Sequence, residues 1–108
     1  MKETQLLKGV LDGCVLKVIG KKEIYGYELV QYLKENGFPT IVGGTVYPLL
    51  QKLEKQGLIK SRLKPSKEGP DRKYFSLTNE GRQYLVDFTV QWYGLVEKVD
   101  DILHEECE

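Results

Sequence analysis

The sequence predicts a mainly α-helical fold with one small β-hairpin, and three observations support this class. Apolar residues recur at helical spacing in three segments of the amino-terminal half. An alternating segment with turn residues follows, and a heptad-like apolar pattern fills the carboxy-terminal part. The chain has 108 residues, of which 41% are hydrophobic and 30% charged. These values are typical of one folded domain with its own core.

Three predicted helices precede the hairpin. Apolar residues over 5–19 indicate the first, and "YGYELVQYLKENGF" predicts a shorter second helix that stops at Gly37. "TVYPLLQKLEKQGL" predicts the third, over about 44–57, with Thr45 as N-cap and Pro48 in the first turn. Its buried stripe is expected to consist of Val46, Leu49, Leu50 and Leu53.

The hairpin is predicted over about 59–77. Alternation in "LIKSRLK" places Ile59, Ser61 and Leu63 on the inner face, and "DRKYFSLT" supplies the partner strand. "PSKEGP" predicts a connecting loop longer than two residues. Thr78 is the expected N-cap of the last helix.

That last helix carries a seam of apolar residues spaced alternately by three and four positions. It can pack back on its own domain or on the same helix of a second subunit. We favour the second arrangement, because the amino-terminal helix also has apolar surface to exchange between subunits. The expected dimer-interface residues are Leu6, Leu7, Val10, Leu85, Phe88, Trp92, Leu95, Val99 and Ile102.

Charge is distributed unevenly although the formal net charge is zero. Residues 52–73 contain eight cations and three acids, a net charge of +5, whereas 74–108 contain two cations and eight acids, a net charge of −6. A local basic block of this kind favours a polyanionic partner. The alternative is an edge hairpin that lysines protect from aggregation.

Three helices followed by a hairpin with a cationic tip is the element order of a winged helix-turn-helix. In that fold the third helix enters the major groove of DNA and the hairpin, or wing, follows the phosphate backbone. We expect residues 1–78 to form the DNA-binding domain and 79–108 a carboxy-terminal dimerisation helix, together one compact unit. A winged-helix adaptor that binds proteins and no DNA is the alternative, but it would not need clustered cations at the wing tip.

An enzyme is not expected. The single histidine, His104, lies near the carboxy terminus, neither Cys14 nor Cys107 has a base at a recognisable spacing, and "VGGT" lacks the features of a phosphate-binding loop. The cysteines do not form a metal-binding pattern, so we expect neither a metal nor a cofactor; Cys14 is expected to be a small core residue. With no signal peptide and no membrane-spanning run, a cytoplasmic location is expected.

Four segments, "YGYELVQYL", "GGTVYPLLQKLEKQGLI", "GPDRKYFSLTNEG" and "FTVQWYGLV", resemble the PadR family of transcriptional regulators. The likeness extends from Leu6 to Leu103, and the short carboxy-terminal helix resembles the compact branch that includes multidrug-responsive repressors. The resemblance implies a homodimeric repressor that binds a pseudo-palindromic double-stranded DNA operator.

The resemblance also implies site residues. The expected DNA contacts come from the segments that match the recognition helix, the wing and the second helix, and from the cationic tip. They are Tyr27, Thr45, Tyr47, Pro48, Lys52, Lys64, Lys67, Gly69, Arg72 and Lys73. In multidrug-responsive relatives, the matching tryptophans stack on planar drugs between the subunits. A small hydrophobic or aromatic effector at Phe88, Trp92 and Val96 is therefore one interpretation, and a plain apolar core is the other.

Overall fold

The computed structural model of the chain describes residues 3–107. Its helices are α1 (Glu3–Leu6), α2 (Val10–Lys21), α3 (Gly26–Glu35), α4 (Gly43–Lys55) and α5 (Asn79–Leu103), and its strands are β1 (Ile24–Tyr25), β2 (Ile59–Ser66) and β3 (Gly69–Leu77). The strands form an antiparallel sheet in the order β1-β3-β2. The predicted mainly α fold with a small hairpin is confirmed.

The core lies between α2, α3, α4 and the base of the hairpin. The stripe predicted for α4 faces it, with Leu49 at its margin. Phe75 and Leu77 of β3 close the core from the sheet side. The largest fully buried side chains are Val15, Leu16, Ile19, Leu29, Val46, Leu50, Leu53 and Ile59.

The first predicted helix, over 5–19, is wrong as one continuous element. Gly9 has a φ of 84°, a left-handed conformation that ends the path of α1 and lets α2 start at Val10. The Leu7 carbonyl accepts the backbone N–H groups of Val10 (2.8 Å) and Leu11 (3.0 Å) across this break. Because apolar residues follow helical spacing on both sides of Gly9, the sequence pattern gives no sign of this break.

The predicted start of α4 is also wrong. Val42, in an extended conformation, precedes the first helical residue, so Thr45 lies inside the helix and is not its N-cap. The Tyr47 ring packs on Gly43 so closely that a Cβ there would lie 2.8 Å from ring atom Cε2. The same ring packs on Gly26 of α3, and α4 extends over two glycines of poor helix propensity. Pro48 consequently sits beyond the first turn, where its missing N–H removes one backbone hydrogen bond.

The hairpin differs from the prediction in three respects. Its loop has only two residues, 67 and 68, because Ser66 pairs with Gly69. The register slips between Lys64 and Ser66, which accommodates a proline that cannot donate to the ladder. Leu63 is 66% exposed because the strands extend beyond the core. Strand β1, which was not predicted, adds Ile24 and Tyr25 to the free edge of β3.

Helix α5 begins as predicted and then leaves the domain. The Thr78 hydroxyl accepts the Gly81 N–H (2.9 Å) and donates to the Gly57 carbonyl (2.7 Å), which confirms the N-cap. Phe88 packs directly on Gly13 of α2. Later seam residues are largely open: Leu95, Val99 and Ile102 are 52%, 43% and 66% exposed. Within residues 3–107, no helix has both the length and the hydropathy to cross a membrane.

Candidate nucleic-acid interface

A shallow groove of about 270 Å³ lies between the start of α3, the α4 helix and the wing, which is the β2–β3 hairpin. This α4–wing groove brings together four residues predicted to contact DNA: Tyr27, Tyr47, Arg72 and Lys73. Its full lining is Tyr25, Gly26, Tyr27, Tyr47, Leu50, Gln51, Glu54, Arg72, Lys73 and Phe75. The groove combines aromatic and cationic side chains on one surface.

Tyr47 is held in the groove by two glycines. A Cβ at Gly26 would lie 2.3 Å from ring atom Cε1, and one at Gly43 would lie 2.8 Å from Cε2. Only hydrogen atoms fit at these two positions while the ring stays in place. The Tyr47 side chain nevertheless remains 46% exposed. It is therefore both fixed in position and accessible from outside.

Arg72 is ordered by an aromatic neighbour. Its guanidinium carbon lies 4.6 Å from the centre of the Tyr25 ring, a cation–π distance. Tyr25 contacts Tyr74 with ring centres 5.2 Å apart, and Lys64 Nζ lies 4.6 Å from the centre of the Tyr74 ring. Within residues 3–107, Arg72 has no carboxylate partner within salt-bridge distance. Its charge thus remains available to a phosphate.

Glu54 connects α4 to the wing. It accepts hydrogen bonds from Lys73 Nζ (2.8 Å) and from the Ser61 hydroxyl, one on each wing strand. The Lys73 hydrogen bond, followed by that from Ser61, lowers the pKa of Glu54. The predicted DNA contact Lys73 is therefore already held by a carboxylate.

Glu23, immediately before β1, holds two cations of β2. Arg62 donates through Nε (2.8 Å) and Nη2 (3.0 Å), and Lys64 pairs with the same carboxylate. The hydrogen bonds from Arg62 and then Lys64 lower the pKa of Glu23 to about 2. Lys64, a predicted DNA contact, is thus also paired within the protein.

Lys52 and Thr45 lie outside the α4–wing groove. Both line a separate cavity of about 650 Å³ that also includes Asp12 of α2. Lys52 Nζ lies 2.8 Å from Asp12 Oδ2, and this hydrogen bond raises the pKa of Lys52. Seven residues separate Thr45 from Lys52, which places them on one edge of α4, opposite Tyr47. Pro48 is exposed between the two edges.

The wing tip is the most open part of the predicted interface. Lys67 and Gly69 are both exposed, and a Cβ at Gly69 would meet nothing within 4 Å. In the part of the chain that the structure describes, the cations of the basic block that lack an acidic partner are Lys55, Lys60, Lys67 and Arg72. Among the described residues, free cations therefore lie at the tip of the wing (Lys67), opposite the held Lys64 (Arg72) and near the base (Lys60).

A second cavity of about 650 Å³ lies between α2, α3 and α5. It brings together Leu7, Val10, Leu85, Phe88 and Trp92 of the predicted dimer interface. Two of the three predicted effector residues line it, whereas Val96 is not part of its lining.

The cysteines differ in their surroundings. Cys14 lines this second cavity, is partly buried against the core, and has its thiol pKa raised by that burial. Cys107 is exposed and unpaired. Among residues 3–107, no cluster of His, Cys, Asp or Glu could hold a metal ion.

Sequence reasoning missed the three carboxylates that organise the basic block, Asp12, Glu23 and Glu54. Glu23 is 39 residues from Arg62 and Asp12 is 40 residues from Lys52. Local patterns carry no signal for pairs so distant along the chain.

Comparison with known proteins agrees with this architecture. Residues 15–87 match the transcriptional regulator PadR-like family. The crystal structure of a Streptococcus transcriptional regulator is 61% identical, has a TM-score of 0.84, and aligns over 93% of this chain and 98% of that one. A PadR-like transcriptional regulator from Bacillus cereus is 42% identical, with a TM-score of 0.84 over 94% of this chain and 99% of that one.

A longer relative is the negative transcriptional regulator PadR of Bacillus subtilis. It is 31% identical over 94 residues, which are 85% of this chain and 52% of PadR, so this chain spans about half of its length. The crystal structure of that PadR in complex with operator DNA has a TM-score of 0.69 and 31% identity over 75% of this chain and 46% of that one. Because the family match includes α3, α4, the wing and the start of α5, the chain belongs to the PadR-like family of transcriptional regulators and not to a class of enzymes.

Proposed function

We propose that this regulator is a homodimeric repressor that binds a pseudo-palindromic operator through α4 and the wing. The observation that carries the proposal is the α4–wing groove, where Tyr47 and Arg72 are each ordered and still accessible. The family membership and the operator complex of Bacillus subtilis PadR support it. An adaptor that binds only proteins would not require Arg72, a cation without a carboxylate partner among the described residues, in the same groove as the exposed Tyr47.

The two parts of the interface have different roles in this proposal. Thr45, Tyr47 and Pro48 on the exposed side of α4 face the major groove, where base edges carry sequence information. Lys67 and Arg72 of the wing neutralise phosphates, which gives affinity without sequence preference. This assigns DNA binding to residues 1–78 and pairing of subunits to 79–108.

Dimerisation is proposed through the open half of the α5 seam. Leu95, Val99 and Ile102 are apolar, aligned along one helix face and substantially exposed in the protomer. A contiguous apolar surface of this kind is typical of an interaction site. A two-fold axis there would present two copies of α4 to two operator half-sites.

A planar hydrophobic effector is proposed for the cavity lined by Phe88 and Trp92. The cavity is lined by residues of α2, α3 and α5, and its aromatic lining suits stacking on a flat molecule. A ligand there would change the angle at which α5 leaves the domain. Because α5 sets the spacing between subunits, that change would alter the fit of the two α4 helices to an operator.

DNA binding is tested by fluorescence anisotropy with the duplex upstream of the protein's own gene and a scrambled duplex. Arg72→Ala should weaken binding to both and reduce the dependence of log affinity on log salt by about 0.9, the value for one phosphate contact. Tyr47→Ala should instead reduce the difference in affinity between the two duplexes. An unchanged salt dependence in the first variant, or an unchanged difference in the second, would contradict these roles.

Dimerisation is tested by sedimentation velocity at micromolar concentration. Leu95→Arg should yield monomers, because an arginine on the seam would face its own copy across the two-fold axis. Val90→Arg is the matched control, since Val90 is 69% exposed and lies on the opposite side of α5. A dimer that survives Leu95→Arg would contradict the seam.

A further inference from the structure

Glu23 forms a clamp on the middle of wing strand β2, in which one carboxylate binds both Arg62 and Lys64. Arg62 donates to carboxylate oxygen Oε2 through Nε and to Oε1 through Nη2. Lys64 also pairs with Oε1. A guanidinium that faces a carboxylate in this way is in the geometry it would adopt toward a phosphate. Glu23 therefore occupies two cations in the same manner as a DNA backbone would.

Three carboxylates, those of Asp12, Glu23 and Glu54, divide the cations of the basic block into two groups. Lys52, Arg62, Lys64 and Lys73 are held by carboxylates at distances of 2.8 Å or less. In the described part of the chain, the other four cations have no such partner, and they include Lys67 at the wing tip and Arg72 in the α4–wing groove.

We infer that Glu23 limits the sequence-independent affinity for DNA, because it keeps Arg62 and Lys64 from phosphates. Binding without sequence preference depends on the number of phosphates that cations neutralise. Each cation that Glu23 withholds lowers that affinity. The contacts of α4 with base edges, which are favourable only on the operator, are unaffected. Glu23 thus lowers the affinity for DNA of any sequence, and tight binding depends more on the base contacts of α4. The inference rests on the proposed DNA-binding function and adds a residue outside both α4 and the wing.

The test compares how the affinity for a scrambled duplex depends on salt in Glu23→Gln and in Glu68→Gln. Both remove one negative charge, but Glu68 is exposed in the wing loop and, within residues 3–107, pairs with no cation. Freeing two cations should steepen the dependence of log affinity on log salt by about 1.8. Between about 200 and 50 mM salt, the affinity of Glu23→Gln should then rise about 12-fold more than that of the wild type. Glu68→Gln should keep the wild-type dependence.

A second pair of variants tests the clamp with Glu23 intact. Arg62→Gln should leave the salt dependence on random DNA at the wild-type value, because Arg62 is already occupied, whereas Arg72→Gln should reduce it by about 0.9. Equal dependence in Glu23→Gln and Glu68→Gln, or equal losses in the two arginine variants, would overturn the inference while DNA binding stands. A wild-type protein that binds neither duplex would overturn the proposed function itself.

Discussion

Gly81→Ala should weaken the attachment of the start of α5 to the domain, and the structure indicates the resulting loss in the free energy of unfolding. A Cβ at position 81 would lie 2.0 Å from the Leu58 carbonyl oxygen. That oxygen also accepts the Thr78 N–H (3.2 Å), so it cannot withdraw freely. Relief requires a backbone shift of at least about 1 Å, which is overpacking of a kind that costs roughly 1–3 kcal/mol.

Two further contributions modify that cost. The shift would weaken the bond from the Gly81 N–H to the Thr78 hydroxyl, and loss of such an N-cap costs about 1 kcal/mol. Alanine in a helix gains about 0.5–1 kcal/mol over glycine. We therefore expect a net loss of roughly 1–3 kcal/mol in the free energy of unfolding. For a domain near this size, each kcal/mol lowers Tm by about 4–8 °C.

The assay is thermal unfolding followed by circular dichroism at one fixed protein concentration, because a dimer's Tm depends on concentration. Gly94→Ala is the matched control: it lies in the same helix, and a Cβ there meets nothing within 4 Å. It should raise the free energy of unfolding by about 0.5–1 kcal/mol. If Gly81→Ala were as stable as Gly94→Ala, the close contact between α5 and Leu58 would be refuted.

Three further predictions concern the interface and the cavity. Gly26→Ala should displace the Tyr47 ring and reduce operator discrimination in anisotropy titrations as Tyr47→Ala does; unchanged discrimination would contradict the role of Gly26 in positioning Tyr47. Glu23 and Glu54 have lowered pKa values, so their stabilising effect is complete above the ordinary pKa of 4.5 and is lost as pH falls through the lowered values, which for Glu23 is about 2. Urea midpoints should accordingly fall over that range, and fall less in Glu23→Gln. Trp92→Ala should abolish binding of planar hydrophobic dyes, measured by dye fluorescence; retained binding would place them elsewhere.

Elements specified by local chemistry were predictable from the sequence. The Thr78 cap depends on residues within three positions of each other, and Gly37 and Gly57 adopt the positive φ expected after a helix. The inward-facing residues Phe75 and Leu77 followed from strand periodicity. In each case one short segment contains all the information that decides the structure.

The errors arose where distant contacts override local preference. Thr45 is a better N-cap than Val42, but the helix starts earlier, with the Tyr47 ring packed on the distant Gly26 of α3 as well as on Gly43 one turn before it. Strand β1 has only two residues and forms because β3 offers it a free edge. The same limitation hid the carboxylate partners of the basic block, since charge counted along the chain does not show which cations are already occupied.

The zero net charge therefore says little about affinity for DNA, because the acidic residues lie at very different distances from the cations of the wing. Helix α5 has 25 residues and at a rise of about 1.5 Å per residue extends roughly 37 Å from the base of the wing. Acids near its end, such as Asp100 and Asp101, lie several Debye lengths of about 8 Å along the helix from its start. They are screened from the wing, whereas Glu23 contacts two of its cations directly. One carboxylate in contact with the wing should thus reduce DNA affinity more than several at the far end of α5.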